Sequence, residues 1–341
     1  MYDIISIGDA GLDTFVILKD ATVNCVLNKA SCQFCINYAD KIPVDSWQQT
    51  IGGNAANNAV ASNRLGLRAA IWTIIGPDSS GVLIKKTMKA EKVAVNFIEL
   101  DKKHPTNQSL VMNFQGERTI LVHHNKRSYK LPKLPASSWV YLTSMGSGSE
   151  KIFPALLNYL NEGRVSNDGT RHDSAESNKI KLAFNPGTFQ MKLGINILRP
   201  VLAQTTALFV NLEEAGRILG TPEEKDMHKL TRNLAALGPK IIVITNGPEG
   251  AHAWDGNGCY FMPILKEAPV VERTGAGDAF ASAFVAALLY NHGISEALRW
   301  GTFNSASVIG KVGPEAGLLR LREMKRQLAN HKTLIAQACA K

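Results

Sequence analysis

The 341-residue chain lacks any dense block of Lys and Arg, although 38 basic residues against 29 acidic ones give a net charge of +9. The tightest basic cluster, Arg320, Arg322, Lys325 and Arg326, falls on a final amphipathic helix, where a solvated face explains it. Scattered positive charge suits attraction of an anionic nucleotide better than docking on nucleic acid, so no nucleic-acid partner is expected. No apolar run approaches the about 20 residues that span a bilayer, which excludes a membrane helix. No basic head and apolar core open the chain; Met1 leads straight into the strand pattern Tyr2–Gly8. Five cysteines, an odd number with three crowded together, do not form a secreted disulfide framework. Reduced thiols and a cytoplasmic location are therefore expected. No Gly-x-x-x-x-Gly-Lys-Ser/Thr phosphate loop occurs. Lys151 stands where a dinucleotide fingerprint starting at Gly146-Ser147-Gly148 would need its third glycine, which disfavours a nicotinamide enzyme. Neither an internal repeat nor a heptad pattern is present.

What is present is globular: 45% hydrophobic and 20% charged residues, in a chain long enough to bury a large core. Short apolar runs alternate with longer amphipathic ones. Strands are expected at Ile4–Gly8, Ala69–Ile75, Val140–Thr143, Leu182–Asn185, Leu208–Asn211 and Ile241–Thr245. Helices are expected at Ala55–Leu65, Val82–Lys89, Ile152–Leu160, Leu212–Leu219, Ala276–Asn291 and Ser295–Lys311. Repeated strand-then-helix order predicts a doubly wound, largely parallel α/β sheet with helices on both faces, and ligands beyond the carboxyl ends of its strands. Residues about 13–51 and 95–128 break the alternation and read as short strands that pair into a small β lid. Phe114–Thr119 reads as a hairpin within it. Residues 163–179 are polar and read as a flexible surface loop, and the whole chain as one domain.

Five short motifs carry candidate chemistry. In Thr274-Gly275-Ala276-Gly277-Asp278 a β-leaning segment gives way to a long apolar helix. The first helical turn offers free N–H groups and the positive dipole end, and glycines admit an anion to them. Asp278 beside that site can take a proton from an attacking alcohol. The same residues also read as a tight turn with a helix-start acid, and the local pattern alone leaves the two readings equal. In Gly52-Gly53-Asn54-Ala55-Ala56-Asn57, Asn54 and Asn57 share one helix face and offer donors and acceptors to neutral hydroxyls; helix capping by Asn54 is the plain alternative. Gly8-Asp9-Ala10-Gly11-Leu12-Asp13 sets two carboxylates after the first strand, for hydroxyls, a metal or only a turn. Asn211-Leu212-Glu213-Glu214 and Thr245-Asn246-Gly247 also follow strands.

Together and in this order, these motifs resemble those of the ribokinase-like, or phosphofructokinase-B, carbohydrate kinase family, along almost the whole chain. The resemblance implies transfer of the ATP γ-phosphate to a hydroxyl. It implies Asp278 as base and the backbone of Gly275, Ala276 and Gly277 as anion hole. It implies Asp13, Gly53, Asn54 and Asn57 as acceptor contacts. Asn211, Thr245, Gly247 and Asn304 match nucleotide-contacting positions, and Glu214 a position that organises Mg2+ through water. A homodimer through the lid is likewise implied. Glu272-Arg273-Thr274 departs from the usual Asp-Thr-Thr, which puts monovalent-ion activation in doubt. The neutral Asn54, where many ribose kinases have Lys, favours an uncharged acceptor.

Cys25, Cys32 and Cys35 fall in the lid, and with His123 or His124 they make an incomplete zinc set. The acceptor reads as a sugar or sugar-like polyol. A nucleoside is the alternative, with Phe34, Tyr38, Trp47 and Phe114 as candidate walls for its base. A non-catalytic sugar or nucleotide sensor is a third reading, against which the intact Asp278 motif stands.

Overall fold

The computed structural model describes residues 1–25, 32–115, 117–162, 179–266 and 270–339. In chain order its first half holds β1 (Tyr2–Ile7), β2 (Gly11–Leu18), β3 (Thr22–Cys25), β4 (Cys32–Cys35), β5 (Val44–Gly52), α1 (Asn54–Arg64), β6 (Ala69–Ile75), α2 (Ser79–Ala90) and β7 (Ala94–Leu100). Then follow β8 (Asn107–Phe114), β9 (Glu117–His123), β10 (Ser137–Leu142), α3 (Phe153–Glu162), β11 (Lys181–Phe184), α4 (Thr188–Lys192), α5 (Ile195–Gln204) and β12 (Thr205–Asn211). The last part holds α6 (Leu212–Leu219), α7 (Met227–Ala235), β13 (Ile241–Thr245), β14 (Ala251–Trp254), β15 (Cys259–Met262), α8 (Ala276–Leu289), α9 (Ile294–Ile309), α10 (Leu321–Asn330) and β16 (Gln337–Ala338).

Ten strands form one sheet in the order β16-β15-β14-β13-β12-β11-β10-β1-β6-β7. The seven from β13 to β7 run parallel, and β14, β15 and β16 join antiparallel at one edge. The parallel strands are apolar on both faces because helices cover both. Ile5, Ile7, Val140 and Leu142 point into one core, and Ile4, Trp139 and Tyr141 into the other. This is the doubly wound fold the alternation predicts.

A second, four-stranded sheet has the order β5-β2-β8-β9, and β3 pairs only with β4. The hairpin expected around residue 116 is present as β8 paired antiparallel with β9, with Gly116 itself outside the described residues. One boundary differs from expectation. Residues 95–100, grouped by sequence with the lid, form most of β7 and pair with β6 at the edge of the large sheet. At the edge of the sheet β7 is only partly covered, so Asn96 and Glu99 interrupt its apolar run as in a lid strand. The expected loop at 163–179 lies, but for Lys179, outside the described residues.

The cysteines also differ. Cys25 is bonded to Cys32, and Cys259 to Cys339, which corrects the expectation of reduced thiols. The first pair joins facing ends of the β3–β4 ribbon, a register in which two sulfurs reach each other more readily than a metal. That removes the zinc set: Cys35 alone is a free thiol, and among the described residues no group of three or more His, Cys, Asp or Glu can hold a metal ion. No helix among them is long and apolar enough to cross a membrane.

Candidate active site

The carboxyl ends of the parallel strands open into a cavity of about 600 Å³, roofed by the second sheet. Asp9 follows β1, Ser144 follows β10, Asn185 follows β11, Asn211 ends β12 and Thr245 ends β13; all five line it. The roof contributes Asp13 from β2, Ser109 and Val111 from β8, and Arg118, Ile120 and Val122 from β9, with His124 just beyond. The roof residues alternate along each strand, as one face of a pleated sheet requires.

Asp278 lies in the first turn of α8, only 7% exposed, and accepts a hydrogen bond from Asn57 Nδ2 at 2.8 Å. Burial pushes its carboxyl up to about 6; the Asn57 bond works against this, and the Glu214 and Asp13 charges add to it. The turn before it depends on Gly275, which sits at φ 80° with Pro314 Cβ 2.5 Å from where its own Cβ would be. Only glycine meets both demands. A Cβ at Gly277 would meet nothing within 4 Å, so an anion can approach there. Among the described residues Gly275 N and Gly277 N donate no hydrogen bond, whereas Ala276 N is engaged by Arg273 O at 3.3 Å. The expected three-residue anion hole thus has two free donors.

Asp13 is held opposite Thr50 and Ser109 in the second sheet. Burial pushes its carboxyl up to about 6, with the Ser109 hydroxyl lowering it and Glu272 raising it. Gly52 is required beside it, because a Cβ there would fall on the Asp13 carboxylate. Gly53, at φ 93°, caps α1 and sets Asn54 and Asn57 on the cavity wall. Asn57 is not wholly free for an acceptor, since its Nδ2 serves Asp278, while its Oδ1 is buried without a partner. Behind it Asn58 Nδ2 donates to Ser282 Oγ at 2.9 Å and Ser6 Oγ donates to Asn58 Oδ1 at 2.6 Å, locking α1 against α8 and β1.

Asn211 and Glu214 cap α6 reciprocally: Asn211 N donates to Glu214 Oε2 and Glu214 N to Asn211 Oδ1, each at 2.8 Å. Glu214 keeps a second oxygen, and burial raises its pKa. Glu272 accepts from Thr274 N at 2.7 Å, and Arg118 Nε stands 3.9 Å away. Arg273 lines the cavity and pairs with Glu117 at 3.2 Å, so the hairpin and the turn before α8 are tied twice.

Several expected residues are elsewhere. Asn304 is fully buried, its Nδ2 donating to Ala279 O and its Oδ1 accepting from Leu319 N, so it braces α8 against the chain after α9 and is not among the lining residues. Gly247 lies in a 3-10 turn just past Thr245 and is not among the lining residues. Phe34, Tyr38, Trp47 and Phe114 do not line the cavity either: Phe34 packs on Phe114, and Tyr38 and Trp47 face solvent. The phenylalanines that do line it are Phe189, stacked on His124 at 5.6 Å, and Phe209 and Phe280. Phe189 and Arg118 carry no local sequence signal; His124 drew notice only as a metal ligand.

A doubly wound sheet, a glycine-flanked helix start and a buried carboxylate beneath a β roof are the layout of an α/β phosphoryl transferase. The pfkB family carbohydrate kinase description matches residues 15–151 and 155–320, and the chain belongs to that family. Among curated relatives, a 5-dehydro-2-deoxygluconokinase of Halalkalibacterium halodurans is 23% identical over 305 residues, covering 85% of this chain and 88% of the relative. Among solved structures, Arabidopsis thaliana ribokinase with ribose and ATP superposes with TM-score 0.74 at 19% identity, covering 96% of this chain and 98% of that one. Burkholderia thailandensis nucleoside kinase with inosine gives 0.73 at 16%, covering 96% and 98%. These two likenesses speak for the fold.

Proposed function

We propose that this carbohydrate kinase transfers the γ-phosphate of ATP to a hydroxyl of a small sugar or sugar-like polyol, with Asp278 as base. The observation that carries this reading is the buried Asp278 carboxylate beside the free Gly275 and Gly277 N–H groups, with Asp13 and Asn54 lining the same cavity. Asp13 and Asn54 hold acceptor hydroxyls, and Asp278 takes the proton of the attacking one. The Gly275 and Gly277 N–H groups, at the positive end of α8, stabilise charge on the moving phosphoryl group. Arg273 and Arg118 add positive charge on the roof side. Asn211 and Thr245, at neighbouring strand ends, contact the nucleotide.

Magnesium fits the residues present. Mg2+ is held by one or two carboxylates together with substrate phosphates and water, and Glu214 presents a half-buried carboxylate with an oxygen to spare. Bound there, the ion would neutralise phosphate charge.

Phe189 stacked on His124 is the one feature that favours a nucleoside acceptor, since a flat base can lie on that wall. The exposed edges β5 and β9, carrying Trp47 and Leu121, support a homodimer through the roof. An ATP-consuming reaction supports a cytoplasmic location, where glutathione acts against both disulfides.

The test is ADP release from Asp278→Asn against ribose, fructose, inositol, adenosine, inosine and cytidine. Turnover should fall by about two to four orders of magnitude with ATP binding kept; near-normal turnover removes Asp278 from the base role.

A further inference from the structure

Two buried polar atoms without partners face each other at one end of the cavity: Asp9 Oδ2 and His124 Nδ1. Buried polar groups are almost always hydrogen-bonded, so such a pair marks a place where something is bound. Asp9 is fixed as a backbone: its N donates to Ser144 O at 2.8 Å and its O accepts from Ala55 N at 3.2 Å. Its carboxylate makes no hydrogen bond among the described residues. Oδ2 faces His124 Nδ1 at 3.6 Å, just beyond bonding distance, which leaves Oδ1 toward the cavity. His124 is held flat by its stack on Phe189. Gly146, next along the chain from Met145, makes room for Tyr129, whose Oη would stand 2.8 Å from a Cβ there.

We propose that Asp9 is a specificity-determining residue that binds a distal hydroxyl of an uncharged acceptor, and that His124 is the positioning residue that orients it. The inference rests on the kinase reading and narrows its substrate class. An inward movement of the roof by less than about 1 Å brings His124 Nδ1–H into hydrogen-bond range of Oδ2. Oδ1 then receives a hydroxyl from the acceptor. An acceptor with a phosphate or carboxylate at that end would set a second negative charge against Asp9, a like-charge contact without compensation. Burial pushes the Asp9 carboxyl up to about 7, against the Arg127 charge, and burial first and then the His123 and Arg127 charges lower the His124 pKa. A hydroxyl bonds to either protonation state of the acid, donating to the carboxylate or accepting from the carboxyl. Recognition of a neutral hydroxyl therefore survives titration.

The experiment measures kcat and KM by ADP release for neutral acceptors (ribose, fructose, inositol, adenosine) and charged ones (fructose 6-phosphate, 5-dehydro-2-deoxygluconate). The best neutral acceptor should exceed both charged ones by about tenfold or more in kcat/KM, as expected when a site is built around one hydroxyl. In Asp9→Ala its KM should rise by about tenfold or more with kcat and the KM for ATP little changed. Asp9→Asn should recover part of this loss. His124→Phe, which keeps the stack on Phe189 and removes Nδ1, gives the same KM rise and serves if Asp9→Ala does not fold. An unchanged KM in the folded variants overturns the role of Asp9, and a charged acceptor that outperforms every neutral one does the same; both leave the kinase reading standing. Silence with every acceptor overturns both.

Discussion

Asn57 Nδ2 lies 2.8 Å from Asp278 Oδ2, so a helix from the start of the chain sets the charge state of a carboxylate 221 residues away. The bond favours the ionised acid and opposes the burial that pushes Asp278 up to about 6. As the proposed base, Asp278 works when ionised, so kcat/KM should fall as pH drops through about 6. In Asn57→Ala the opposing bond is gone, the Asp278 pKa rises, and the acid limb should move to higher pH. A pH–rate profile of both proteins checks this; an unmoved limb means that Asn57 does not act on the base.

Gly52→Ala should cripple acceptor binding while sparing nucleotide. The new methyl group takes the place of the Asp13 carboxylate, which must swing off the acceptor wall. Acceptor KM should rise by about tenfold or more, with the KM for ATP within about twofold. Steady-state kinetics with each substrate varied in turn would show it.

Glu315 is buried, and burial pushes its carboxyl up to about 8, with Arg64 lowering it and Glu91 and Asp13 raising it. Its folded pKa exceeds the unfolded one, so the native state binds the proton more tightly. The stability this gives is complete below about pH 4 and is lost as pH rises toward about 8. Glu315→Gln removes the titration, so its Tm should exceed that of the wild type at pH 9 by on the order of 2 °C or more and match it near pH 4. Thermal melts across pH decide it.

Cys259 and Cys339 are 80 positions apart. Constraining the unfolded chain over that length is worth about 4 kcal/mol in the loop-entropy account. Dithiothreitol should lower the Tm of the wild type clearly more than that of Cys259→Ser, in which only the short Cys25–Cys32 loop is left to open. Equal responses would mean that this bond does not contribute.

The fold was readable where burial on both faces leaves only apolar residues. Ala69–Ile75 and Ile241–Thr245 are strands with the bounds their apolar runs suggest. The start of α8 was readable because Gly275 has a backbone that other residues resist. Edge strands are harder: Asn96 and Glu99 interrupt the apolar run of β7, whose sequence pattern groups it with the roof. Asn304 carried the right residue type, but only tertiary contact shows that both ends of its amide are spent on backbone. Asp9 and His124 meet across two sheets, and nothing local in either segment announces the other. Period-two spacing puts Arg118, Ile120 and Val122 on one face of β9, with His124 continuing the spacing just beyond, yet does not say that this face looks onto the cavity.

The Cys259–Cys339 bond also makes a closed covalent ring of the chain that carries the Thr274–Asp278 turn and the helices α8, α9 and α10. A protease that nicks this ring once, at the exposed Lys311 for example, cannot release the segment bearing Asp278. The two pieces stay tethered and travel as one band until a reductant parts them.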